Sequence, residues 1–443
     1  MELSERKDKI DLSSLLRKDF ATYKDGKIWT SAFNYAIRNY REIYIPQGKY
    51  YIDKSIVVQS DTSIVADENA EIILTKGTKT LLLRNLSVID GSDFKIDENA
   101  PADKNITVAG GVWGEESEAR AGYGVSGCFD DNDGMHGVSA CFLFSGVKNL
   151  TLKNITFVKT AGFACQIGRV TGFTIENLRF VDCFADGLHV NGGVKNGTIK
   201  NLSGHTEDDL IALNAYDWDN SSINFGCIEN LTVDGVRSVN GENVHKSFRI
   251  QPGVYPYKNG EAEDCYIKNL TIKNVSGVTT FKMYLQTPAY NRLPEKNIGV
   301  GRIESVLFEN VSADTTSPVD RQPNYLNCDM VAGNFSTFEV GSNVCGIKFK
   351  NVKVTLNKDN YPNSYFMTVG PKSQYIPEKG IELFDPYVVC TADKITYDDV
   401  YINGEKIEDL TPFVKEVAFN DLYPSETSFG YGKIISIVKE KKR

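Results

Sequence analysis

Apolar and polar residues alternate in a phrase that recurs from Asn149 onward: NLTLKNITF (149–157), GFTIENLRF (172–180), NGTIKNLSG (196–204), CIENLTVDGV (227–236), CYIKNLTIKNV (265–275), RIESVLFENV (302–311) and CGIKFKNVKV (345–354). A period of two places every second side chain on one face of an extended strand. Asn154, Asn177 and Asn201 mark successive copies 23 and then 24 residues apart, and the later markers Asn274, Asn310 and Asn351 are spaced more widely because loops intervene. Short strands with Asn or Gly at the corners, repeated at that interval, predict the stacked coils of a parallel β-helix. Stacked Asn side chains add to the case, since their amides can hydrogen-bond along coils about 4.8 Å apart. A leucine-rich repeat of similar length is excluded, because its leucine and asparagine frame is missing and the repeats hold no helical segment.

The N-terminal part is patterned differently. LSSLLRKDF is helix-prone, and in WTSAFNYAIRNY the residues Phe33, Ile37 and Tyr40 recur at helical spacing. Such a segment suits a cap over the first coil, whose open edge would otherwise invite strand addition. REIYIPQGKYYIDKSIVVQSDTSIVAD then supplies the first strands, with Pro-Gln-Gly as a turn. The Gly-rich, acidic stretch 110–137 has no strand pattern and is expected to be a long loop walling a groove. The expected organisation is a single β-helix domain over 1–443: a cap region at 1–45, coils at 46–355, and an irregular extension at 356–443 that ends in a strand, KIISIV.

Composition narrows the function classes. The chain has 443 residues, 41% of them hydrophobic and 24% charged, as in soluble proteins, and no apolar run approaches the roughly 18 residues of a membrane span. A formal charge of -9 argues against a nucleic-acid partner, the one sizeable basic run being Lys439 to Arg443. MELSERKDKIDLSS lacks the apolar core of an export signal, so a cytoplasmic location is expected, or secretion if a leader has been removed. Nine cysteines without a CxxC pair suit neither a disulfide framework nor a zinc site, and buried, reduced thiols are the expectation.

Aligning coils by alternation sets FACQIG (163–168), DGLHVN (186–191), DLIALN (209–214), KSFRIQ (246–251) and FKMYLQ (281–286) in register. Cys165, Leu188, Ile211, Phe248 and Met283 then face the interior. Gln166, His189, Ala212, Arg249 and Tyr284 form one outward ladder, and Gly168, Asn191, Asn214, Gln251 and Gln286 the next, a polar strip suited to sugar hydroxyls. Asp186 and Asp209 are one 23-residue period apart, Asp208 adjoins Asp209, and the next coil brings His245 over Asp208 and Lys246 over Asp209. Three acids so close require a raised pKa or a compensating cation. Glycosidic cleavage uses such carboxyls: one protonates the leaving oxygen while another activates water or attacks the sugar. An Asp-Gly pair also serves as a plain turn, and His205, one coil beyond Asp182, suits a structural role.

With Asp186-Gly187 and then Asp208-Asp209-Leu210-Ile211-Ala212-Leu213, the chain resembles the family 28 glycoside hydrolases, the polygalacturonase and rhamnogalacturonase group, over about residues 25 to 315. The resemblance implies a right-handed, pectin-lyase-like parallel β-helix and an inverting hydrolase. It implies Asp208 as general acid, Asp186 and Asp209 as the pair activating water, and His245, in Val244-His245-Lys246, as the retained site histidine. The family's Arg-Ile-Lys strand, whose basic residues grip the galacturonate carboxylate, is matched only by Lys282-Met283-Tyr284. Lys282 and Arg249 remain candidates for that grip, Tyr284 replaces the lysine, and a neutral sugar becomes an alternative substrate. The expected substrate-binding set is His189, Lys246, Arg249, Lys282, Tyr284, Gln166 and Asn214, with Trp218, Tyr216 and Tyr255 stacking on sugars or covering the coils. No metal or cofactor is expected, and the partner is an oligosaccharide or polysaccharide. The competing readings are a calcium-dependent lyase of the pectate type and a non-catalytic, tailspike-like binding protein.

Overall fold

The computed structural model describes the chain except residues 1–5, 79, 89–101, 119–139, 217–222, 240–245, 257–260, 285–299, 316–335, 360–363, 371–388, 418–430 and 441–443. Its described residues are almost entirely strands, with one α-helix, and their parallel pairing forms the β-helix expected from the repeats. Contacts group the chain into two compact units: one of Met1–His189, Val194–Glu207 and Asn220–Asn224, the other of Val190–Gly193, Asp208–Asp219 and Phe225–Arg443.

In the first unit, strands pair in parallel along three sides of each coil. Lys7–Asp11, Tyr40–Ile45, Thr62–Ala66 and Asp103–Ala109 form one side. Gly26–Ile28, Gly48–Ile52, Ala70–Leu74 and Val112–Glu115 form the second. Ile56–Val58 and Leu83–Asn85 begin the third. Ala140–Val158 and Phe163–Cys183 each run around several sides, with Ala140 opposite Phe163 at the 23-residue offset. Trp113, Phe142, Phe157 and Phe180 are buried inside and pack ring on ring. Thr30–Asn39 is the cap helix, burying Phe33, Ala36 and Ile37, whereas LSSLLRKDF supplies only one short 3-10 turn, Leu12–Leu15. Val112–Glu115 is a strand rather than part of the expected 110–137 loop; its four residues, preceded by Gly110 and Gly111, are too short to show alternation. Much of the rest of that stretch lies outside the described residues.

In the second unit, Ile211–Asn214, Ser247–Gln251, Thr280–Tyr284, Phe338–Gly341, Met367–Val369 and Val414–Glu416 pair in parallel along one side. Ile228–Ser238, Ile267–Val278, Arg302–Asp314, Asn343–Thr355, Ile395–Ile402 and Ile437–Lys439 form another. Parallel pairing thus continues past residue 356, where an irregular extension was expected. KIISIV is split between Tyr431–Ile434 and Ile437–Lys439. Phe248, Phe281, Phe338, Phe308, Phe349 and Phe366 stack through the interior.

The corners explain the recurring Asn. Asn149, Asn154, Asn177 and Asn201 in the first unit, and Asn230, Asn269, Asn274, Asn310 and Asn351 in the second, have φ between 50° and 62°, the left-handed region that Asn tolerates better than most residues. Their amides bond from coil to coil, Asn177 to Asn154 at 2.8 Å and Asn201 to Asn177 at 2.9 Å, then Asn310 to Asn274 at 3.1 Å and Asn351 to Asn310 at 2.9 Å. One residue type therefore turns the chain and ties each coil to its neighbour.

Candidate functional site

The predicted site residues divide between the two units. In the first, Asp186-Gly187 forms the turn entering the strand Leu188–Asn191, and the turn is fixed by Ala164 N–H donating to the Asp186 carbonyl at 2.9 Å and Cys165 N–H to that of Gly187 at 3.0 Å. Asp186 is buried, and His189 Nδ1 lies 2.6 Å from its Oδ2. With an ionised carboxylate as acceptor, that nitrogen carries the proton. The imidazole stacks on Phe163, with centroids 3.9 Å apart and 12° between planes. Phe163 in turn packs with Leu81, Val88, Ala140, Leu143 and Ala185. His189 is therefore held by a carboxylate at its edge and an apolar cluster under its face. Gln166 is fully buried, in register with Leu143. His205 Nδ1 lies 3.0 Å from Asp182 Oδ1, toward the surface, as suits its expected structural role.

In the second unit, Asp208-Asp209 enters the strand Ile211–Asn214, and Asp209 N–H donates to Asp208 Oδ1 at 3.0 Å. Asp209 is fully buried and is the focus of the local charges. Ser247 Oγ donates to its Oδ1, Arg249 Nε donates to its Oδ2 at 2.5 Å, and Lys282 Nζ lies 3.8 Å from Oδ1. Arg249 and Lys282 are themselves buried. The strand ladder explains the convergence: Ala212 stands beside Arg249, Arg249 beside Lys282, and Lys282 beside Glu339. Two cations thus lie between two carboxylates on one face, in a low-dielectric setting where each charge needs its counterpart.

This register corrects the one inferred from alternation. Phe281, not Met283, stands beside Phe248, and Lys282, not Tyr284, continues the ladder from Arg249. A slip of two residues leaves every side chain on its original face, so the hydrophobic pattern is blind to it, whereas a slip of one would have inverted the strand. Tyr284 is half-buried at the strand end. Lys246 is half-buried, and by continuing the ladder two residues back from Phe248 it reaches the position beside Asp209. Its carbonyl accepts Thr279 N–H at 2.7 Å and Thr279 Oγ1 at 2.9 Å. His245 and Trp218 lie outside the described residues.

The outward polar strip is buried rather than open: Asn214, Gln251, Arg249, Lys282, Glu339 and Thr368 are all largely shielded from solvent. Gln251, beside Asn214, donates from Nε2 to the Tyr216 carbonyl at 2.7 Å. Tyr216 meets Tyr255 edge to face at 5.6 Å, and Tyr255 stacks on Phe225 at 3.6 Å, so these aromatics pack against one another. Ser247 and Glu339 were not anticipated. Ser247 carries no ionisable signal, and Glu339 lies beyond the stretch that resembles the family motifs. Its place follows only from the coil register.

The charge pattern bears on what the site can hold. Asp209 is already compensated by Arg249 and Lys282, and a divalent cation on its oxygens would have to sit against both positive groups. Among the described residues, no helix is long and apolar enough to cross a membrane.

No protein-family model matches the sequence, and no curated protein matches it. Among solved structures, the chain is similar to the surface adhesin PfbA of Streptococcus pneumoniae, with 14% identity, 89% of each chain covered and a TM-score of 0.44. It is also similar to the family 28 exopolygalacturonase of Yersinia enterocolitica, with 11% identity over 91% of this chain and 77% of that one, TM-score 0.44. The polygalacturonase of Erwinia carotovora ssp. carotovora has 14% identity over 93% of this chain and 96% of that one, TM-score 0.42.

Proposed function

We propose that the chain is an inverting glycoside hydrolase, polygalacturonase-like in its chemistry and acting on pectin-type or related oligosaccharides, with an exo mode of action. One observation supports the reading: two buried carboxyls, Asp208 and Asp209, adjoin each other, and Asp209 is held by the Ser247 hydroxyl, Arg249 and Lys282. Adjacent acids, one of them held in its ionised form by cations, can divide the roles of acid and base.

Asp208, beside an anion held fixed, is assigned as the acid that gives its proton to the leaving glycosidic oxygen as the C–O bond breaks. Asp209, kept anionic by Arg249, is a weak base, because its cations stabilise the ionised form. Its assigned role is to orient the attacking water. Asp186, which His189 holds at 2.6 Å, is assigned from its motif as the group that takes the proton of that water. The water oxygen bonds to the anomeric carbon from the face opposite the leaving group, so configuration inverts. His245 is assigned to the same chemistry from its motif, and Gln166, Asn214, Lys246 and Tyr284 to sugar contacts.

Asp208→Asn tests the assignment. It is isosteric, should leave the thermal transition in place, and should lower turnover by at least about a hundredfold, the scale of a lost general acid. Retention of most activity would remove Asp208 from the role.

A further inference from the structure

The two basic side chains assigned to substrate by family resemblance are already engaged within the protein. Arg249 donates to Asp209 Oδ2 at 2.5 Å, and its Nη1 lies 3.5 Å from Gln251 Oε1. Lys282 lies 3.8 Å from Asp209 Oδ1, and the ladder places Glu339 on its other side. All four charged groups are largely buried, and their formal charges cancel. A sugar carboxylate entering here would have to compete with Asp209 for both cations and would add a negative charge next to Asp208 and Asp209. The like-charge repulsion and desolvation that follow act against an acidic ring and leave a hydroxylated one unaffected.

We propose that the sugar unit recognised at this site is neutral, and that Arg249 and Lys282 are specificity-determining residues because Asp209 holds them away from a substrate carboxylate. Arg249 also acts as a positioning residue, fixing the carboxylate it neutralises. The inference rests on the glycosidase reading and narrows its substrate class from pectin-type acidic or neutral sugars to neutral ones.

The test compares D-galactose and D-galacturonate, which differ at carbon six, as probes in ligand-observed NMR titrations of the full chain. For the wild type, the proposal expects galacturonate to bind no more tightly than galactose. For Asp209→Asn, which releases both cations while nearly preserving shape, it expects the ratio to move toward galacturonate by about tenfold or more, as when a buried charge regains a partner. A galacturonate response in the variant counts for the proposal even where the wild type is silent toward both sugars. A wild-type preference for galacturonate of about tenfold or more overturns it, as does a folded variant with no gain toward galacturonate. The wild-type comparison needs no variant, so it decides the matter if Asp209→Asn fails to fold. Either overturning result leaves the hydrolase reading intact, since Asp208→Asn turnover tests that separately.

Discussion

Ser247, Arg249 and Lys282 converge on one buried carboxylate, and the cost of disturbing them follows from burial. Removing one partner of such a pair strands the other charge, so Arg249→Met is expected to lower unfolding free energy by about 3–5 kcal/mol in urea titration. A loss below about 1 kcal/mol, the range of surface pairs, would mean that Asp209 does not depend on Arg249. The thiols give a second prediction. Burial pushes Cys183 up to about 11 and Cys265 up to about 12, against an ordinary 9.0. The folded pKa is above the unfolded one, so their contribution is complete below pH 9 and is lost as pH rises toward 11 to 12. Unfolding titrations from pH 8 to 11 should show falling stability, and Cys183→Ala should flatten part of that slope; an unchanged slope would refute the assignment to Cys183. At this scale the sequence was informative wherever a residue type carries its own signal: Asp186, Asp208 and Asp209 stood out by spacing, and His205 by its offset from Asp182. Ser247 and Glu339 did not, because a serine or glutamate acquires meaning only from what the next coil sets beside it.

The coil is the element that the sequence specifies best. Asn at φ of +50° to +62°, with amides bonded along the stack, accounts for both the period and the residue that marks it. Asn274 sits at φ 57° with bonds to Asp234 and from Asn310. Asn274→Ala is expected to cost about 1–2 kcal/mol, since an ordinary side chain is strained in that region, and Asn274→Gly should cost less because it removes the strain. Equal losses for the two variants in denaturant titration would place the stabilisation in the amide ladder alone. Register between coils was less legible. Alternation identifies faces, so it places Phe248 and Ile250 inside correctly, but it cannot detect an even-numbered slip, and for that reason it sets Lys282 two positions away from its place beside Arg249. The strands Met367–Val369 and Val414–Glu416 were missed because three residues contain too little alternation to register.

At the scale of the whole molecule, the repeat announced an all-β solenoid, and both compact units are built of parallel coils with aromatic side chains stacked inside. What the repeat could not convey is burial of the polar strip, because a strand's outward face looks the same in sequence whether solvent or another segment covers it. Arg249 and Lys282 illustrate the difference: read as groove residues they suggest an acidic substrate, whereas buried against Asp209 they serve as its counter-ions. Hydrolysis of a glycosidic bond with inversion by these carboxyls is tested by proton NMR of the first-formed product anomer across a panel of oligosaccharides, for the wild type and Asp208→Asn in parallel. The wild type should give a product of inverted configuration and Asp208→Asn none; a retained configuration, an unsaturated product, or undiminished turnover by the variant would rule the mechanism out.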